Sequence, residues 1–204
     1  GGRMLDESNA DKLKSALFQG GKLNRHMIAR DIDQVISVAG VKVDDQPSAR
    51  FLAIPASGIG PDHPESGEKL SLVVAVYRAR DFADAKAIST RVLAHQGAGH
   101  SIGIHTGDDA RAMELGRDMP TCRVIVNQAH CFATGGSFDN GLPFSLSMGC
   151  GTWGGNNISD NLNYRHYLNT TRIARTITPD EPSLDEIFGS YWRKYGIEPG
   201  QSRD

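Results

Sequence analysis

Residues 70–128 read LSLVVAVYRARDFADAKAISTRVLAHQGAGHSIGIHTGDDARAMELGRDMPTCRVIVNQ, and their rhythm decides the fold. LSLVVAVYRA (70–79) is a continuous apolar run of strand character, and Asp81 stands where it can cap the helix DFADAKAISTRVLAHQ that follows. In that helix Phe82, Ala85, Ile88, Val92 and Leu93 share one face. HSIGIHT (100–106) reads as a second strand. DDARAMELGRD (108–118) reads as a second helix with acids in its first turn, and CRVIVNQ (122–128) as a third strand. Apolar strands alternating with helices predict an α/β fold, a parallel sheet flanked by helices.

Upstream, the pattern is mainly helical. NADKLKSALF (9–18) places Leu13, Ala16 and Leu17 together before Gly20-Gly21 stops it. RDIDQVISVA (30–39) sets Ile32, Val35, Ile36 and Ala39 at helical spacing, with Gly40 as the stop. FLAIPA (51–56) is a short apolar strand ended by Pro55 and a turn-rich stretch. The chain opens GGRMLDESNADKLK without a Met at position 1, so the expectation is either a segment of a longer protein or residues added ahead of Met4.

Downstream, CFATGGSFDNGLPFSLSMGCGTWGGNN (131–157) packs seven glycines, two cysteines and a tryptophan into one irregular stretch. Long loops of this kind are uncommon unless functional or disordered, and Phe132, Phe138, Phe144 and Trp153 argue against disorder. NYRHYLNTTRIARTI (163–177) ends in a polar alternation that suits an exposed edge or ribbon strand. The last helix starts at Ser183, with Glu186 completing a capping box and an apolar stripe of Leu184, Ile187, Phe188, Tyr191 and Trp192.

The bulk numbers narrow the class. The 204 residues suffice for one domain with a sizeable core, and 39% apolar with 23% charged is ordinary for a globular chain. A net charge of −2 removes the electrostatic footprint of a nucleic-acid partner. No apolar run approaches the ~20 residues needed to cross a bilayer, so no membrane partner is expected. Cys122, Cys131 and Cys150 form no CxxC pair, which fits a reducing cytoplasm over a disulfide scaffold.

Few residues promise chemistry on their own. Cys131 follows His130, but neighbours on an extended chain point apart, so the dyad is unfavourable and a buried thiol near a strand end is the plainer reading. The cysteines and histidines show no metal-ligand spacing. GGSFDNG and GCGTWGGNN match no phosphate-binding pattern. Glu68, just before the strand, could accept hydrogen bonds from sugar hydroxyls, although such a residue alone is ordinarily a solvated strand entry. His100 and His105 sit five apart and face opposite sides of a strand, so they cannot share one ion.

Four segments carry a resemblance: ESGEKLSLVVAVYRAR (65–80), GHSIGIHT (99–106), TCRVIVNQ (121–128) and GCGTWGGNNISDNLN (149–163). Together they resemble the aldehyde dehydrogenase superfamily. The run GTWGGNN with NLNYRHYLNTTRIA is similar to its CoA-acylating branch, near the sulfoacetaldehyde, acetaldehyde and succinate-semialdehyde dehydrogenases. The resemblance spans residues 1–177. It implies conversion of an aldehyde, NAD or NADP, and coenzyme A to an acyl-CoA. In that chemistry a cysteine thiolate attacks the aldehyde, hydride leaves to the dinucleotide, and the thiol of coenzyme A takes the acyl group. It also implies that the nucleophilic cysteine and the dinucleotide-binding domain lie ahead of Gly1, so Cys122, Cys131 and Cys150 do not inherit the role. The expectation is a C-terminal portion inactive by itself.

By the same resemblance Glu68 corresponds to the glutamate on the nicotinamide ribose and Leu70 to the apolar residue against that ring. His100 and the turn Gly135, Gly136, Ser137 would lie near the aldehyde and coenzyme A. Residues 169–177 would join a β-ribbon in a homo-oligomer. The division expected is 1–162 for the catalytic-domain portion and 163–204 for the oligomerisation strand and last helix. Two other readings compete: a stand-alone assembly or ligand-binding module with the same fold, and a Cys–His hydrolase centred on Cys131.

Overall fold

The computed structural model describes residues 1–196. Residues 1–167 form one compact unit and residues from 168 onward a second. The first unit begins with β1 (Gly2–Met4), α1 (Glu7–Leu17), a hairpin of β2 (Phe18–Gln19) and β3 (Lys22–Leu23), then α2 (Ile32–Ala39) and β4 (Phe51–Pro55). It continues through β5 (Val73–Val76), α3 (Phe82–His95), β6 (Ile102–Ile104), α4 (Asp109–Asp118), β7 (Val124–Val126) and the single turn α5 (His130–Ala133).

The helices start where their first-turn N–H groups find an acceptor. The Asp6, Asp81 and Asp108 carboxylates accept from the backbone N–H of Asn9 (2.8 Å), Asp84 (2.8 Å) and Ala110 (3.0 Å). Gly40 ends α2 in the left-handed conformation. The faces expected of α1 and α2 are the ones buried: Leu13, Leu17, Val35, Ile36 and Ala39 pack with Leu52, Ile54 and Val73 into one core.

The α/β reading holds, with parallel strands flanked by helices, but the strands fall into two sheets. The first has the order β1-β4-β5, all parallel, with Leu52 opposite Val73 and Arg3 opposite Leu52. The second pairs β6 with β7, also parallel, with Ile102 opposite Val124. No ladder joins β5 to β6. Between them runs a cavity of 520 Å³ walled by Val73, Ala75, Ile88, Val92 and Ile102. For this reason α3, despite its apolar stripe, has no buried residue. Its hydrophobic face looks into the gap.

Two local structures at the ends of the first unit have no counterpart in the sequence pattern. The opening residues form a strand against β4 before the first helix begins. NYRHYL becomes a single 3₁₀ turn, Tyr164–Tyr167.

The second unit holds α6 (Leu184–Tyr195), with the full capping box of Ser183 and Glu186 in place. Residues 169–177 are exposed and form no ladder with any described residue.

Candidate functional site

The site is built where the glycine-rich loop returns to the start of β6. Residues 148–151 run antiparallel to 158–161: Met148 bridges Asn161, the Gly149 N–H donates to the Asp160 carbonyl (2.9 Å), and the Gly151 N–H to that of Ile158 (2.8 Å). Two side chains that the sequence did not single out hold this loop. Asn161 is fully buried, and its amide donates to the carbonyls of Thr134 (2.9 Å) and Pro143 (2.8 Å). Its Oδ1 accepts from Arg123 Nε (2.8 Å), and Arg123 Nη1 donates to the carbonyls of Gly149 (3.0 Å) and His100 (3.1 Å). Arg123 is itself buried, and its other terminal nitrogen has no partner among the described residues. One guanidinium thus ties the loop to the backbone that presents His100.

Gly99 makes the approach possible. It is buried with φ +85, and a Cβ there would overlap the Cys150 carbonyl oxygen. Only glycine satisfies both constraints. The next residue, His100, therefore leaves the packed loop with its side chain exposed.

His100 does not stand alone. Its Nδ1 lies 2.6 Å from Ser101 Oγ, which lies 2.7 Å from Nε2 of His130 on α5. Burial pushes the His130 imidazole below its ordinary pKa, and the neighbouring His100 adds to the shift. His130 had been weighed only as a base for Cys131. That pairing fails for a further reason: Cys131 lies in the turn of α5 and is exposed, so the expectation of a buried thiol is overturned. A helical turn places it outward where an extended chain would have tucked it in.

Glu68 and Leu70 flank Lys69, whose side chain lines the cavity between the two sheets. The Lys69 ammonium folds back to donate to the carbonyls of Glu65 (2.8 Å) and Gly67 (2.7 Å), and burial lowers its pKa. The Glu68 N–H donates to Gln96 Oε1 at the end of α3 (2.7 Å). The backbone is thereby fixed, while the exposed Glu68 carboxylate bonds no described residue and stays free to accept. Leu70 is half exposed at φ +45, its carbonyl held by the Ala29 N–H (2.8 Å). A non-glycine residue in that region is strained and held by its surroundings.

Ser66 and Lys69 line the cavity together with Ser101 and His130, whereas Glu68, Leu70 and His100 are not among its lining residues. Nor is the Gly135–Ser137 turn. Ser137 bonds Asp139 and opens on a separate depression with Asn127 and Phe132, while Gly136 holds a turn at φ +86. Among the described residues no three His, Cys, Asp or Glu side chains cluster to hold a metal, and no helix is long and apolar enough to cross a membrane.

Known proteins give this arrangement a context. No protein-family model matches the chain. It is 46% identical over 196 residues to an acylating sulfoacetaldehyde dehydrogenase of Cupriavidus necator, covering 96% of this chain and 40% of that protein. It is 40% identical over 172 residues to a sulfoacetaldehyde dehydrogenase of an Acholeplasma species, covering 84% and 35%. The crystal structure of an acetylating aldehyde dehydrogenase from Geobacillus thermoglucosidasius superposes with a TM-score of 0.80 at 28% identity, over 90% of this chain and 40% of that one. The chain thus spans 40% or less of the length of these relatives. On sequence and fold together, the chain belongs to the acylating branch of the aldehyde dehydrogenase superfamily and corresponds to a part of such an enzyme.

Proposed function

We propose that this chain is the C-terminal portion of a cytoplasmic NAD(P)-dependent, CoA-acylating aldehyde dehydrogenase, and that it has no dehydrogenase activity by itself. The observation that carries the reading is 46% identity across nearly the whole chain to an acylating dehydrogenase more than twice its length. The open gap between β5 and β6 supports it: two parallel edges and the apolar face of α3 await chain from elsewhere in the enzyme.

When bound, the nicotinamide dinucleotide supplies the hydride acceptor and coenzyme A the thiol that takes the acyl group. The residues present fit a ribose. Glu68 offers an exposed carboxylate on a backbone anchored by Gln96, suited to accept from two hydroxyls, and Leu70 presents an apolar face beside it. His100, held at the loop by Gly99 and Arg123, is the group able to exchange a proton at the aldehyde or thiol. The Gly135–Ser137 turn forms part of the outer wall on which coenzyme A rests. Residues 169–177 extend a sheet of a second copy, which accounts for their exposed alternation.

The test is aldehyde-dependent NAD(P)H formation, measured with and without coenzyme A. The chain alone should give none, and the full-length parent should give CoA-dependent turnover that Glu68→Gln weakens mainly through the KM for the dinucleotide. Turnover by the chain alone, or a parent indifferent to coenzyme A, overturns the reading.

A further inference from the structure

Three side chains at the mouth of the cavity form a unit whose chemistry follows from counting hydrogens. Ser101 Oγ sits between two imidazole nitrogens, His100 Nδ1 at 2.6 Å and His130 Nε2 at 2.7 Å. A hydroxyl has one proton to give and two lone pairs with which to accept. If both rings are neutral, Ser101 donates to the nitrogen that lacks a proton and accepts from the one that carries it. The two rings then share one tautomer. Either His100 holds its proton on Nδ1 and His130 on Nδ1, or both hold it on Nε2.

Charging His100 removes the choice. Both of its nitrogens then donate, Ser101 must accept from Nδ1, and its own proton turns to His130 Nε2. That nitrogen must be bare, which leaves His130 neutral with its proton on Nδ1. The surroundings favour this distribution. His130 is half-buried, and burial disfavours its charged form. Lys69, on which the Glu65 and Glu68 carboxylates act, lines the same cavity as His130, and Arg123 bonds the His100 carbonyl. The fold also makes room for the inner ring. A Cβ at Gly103 would lie 2.5 Å from His130 Nδ1, so β6 carries glycine where the imidazole crosses it.

We propose that Ser101 and His130 are positioning residues that set the tautomer of His100, so that the pair behaves as one coupled acid–base unit. The neutral pair populates both matched states; in the one with His130 protonated on Nδ1 and Ser101 donating inward, His100 keeps its proton on Nδ1 and presents a bare Nε2 outward, the form able to take a proton from an incoming thiol or hydrate. The tautomer coupling rests on the geometry alone. Its service to acyl transfer rests on the proposed reading above.

The coupling is tested on the chain itself, so its failure is separable from failure of the enzymatic assignment. Long-range ¹H–¹⁵N imidazole spectra are recorded across a pH titration of the native chain and of Ser101→Ala, Ser101→Thr and His100→Gln. As His100 charges, His130 should shift fully to the Nδ1-protonated form before its own ring titrates. Ser101→Ala should abolish that response and Ser101→Thr restore it. His100→Gln should raise the midpoint of His130. A His130 tautomer that ignores the charge on His100 in the native chain overturns the proposal. So does one that still follows it in Ser101→Ala. In the parent, loss of coupling should lower kcat for acyl transfer and move its pH profile, with KM for the dinucleotide unchanged; an unmoved profile overturns only the service assigned to the pair.

Discussion

At the scale of single residues, two positions carry more of the site than their chemistry suggests. Gly99 has neither side chain nor charge, yet it lets the Cys150 carbonyl approach and aims His100 outward. Gly99→Ala should destabilise the first unit by upwards of ~2 kcal/mol through overlap and a left-handed backbone, read as a lowered urea midpoint. Asn161 makes three hydrogen bonds at once, two of them buried. Asn161→Ala should cost about 2–4 kcal/mol, because Arg123 Nε and two carbonyls lose their partner away from water. The sequence hid both. Arg123 and Asn161 lie 38 residues apart, and a polar residue opening an apolar strand says nothing about which distant amide it will meet. Glu68 and His100 were proposed only through family resemblance, since a lone carboxylate or imidazole at a strand end carries no local signal. His130 was visible and its pairing with Cys131 set aside, but its contact with His100 runs through Ser101, 29 residues away in sequence, and left no local signal.

Among elements, the periodic ones were readable and the solitary ones were not. The stripes of α1 and α2 follow from helical spacing, and the core confirms them. GRM at residues 2–4 has no period to read and becomes β1 only because β4 lies beside it. The stripe of α3 was equally clear, but spacing cannot say what covers it, and the described chain leaves it only partly buried. This asymmetry is measurable. Leu13→Ala, at a fully buried position in α1, should cost about 2–5 kcal/mol. Ile88→Ala on α3 should cost about 1 kcal/mol or less in the isolated chain, and considerably more in a parent whose remaining residues fill the gap. Equal losses in chain and parent would contradict the assignment of α3 to an interface with the rest of the enzyme.

For the whole molecule, the α/β class was legible from strand–helix alternation, and the division into two sheets was not, since strand order is set by contacts between distant segments. Acid sensitivity also belongs to this scale. His130 folds with its pKa below the ordinary 6.5, so on acidification the unfolded chain binds the proton first. Its contribution is therefore intact above about pH 6.5, erodes as pH drops beneath that value, and levels off below the folded pKa. His130→Gln should flatten that part of a stability-against-pH curve measured by urea titration. The split between β5 and β6 has a last consequence. Each unsatisfied edge is a row of N–H and C=O groups backed by valine and isoleucine, the template on which foreign strands grow. Stored alone at high concentration, copies should adhere edge to edge, with light scattering that climbs steeply with concentration and subsides when an extended, β-branched peptide is supplied to occupy the vacancy.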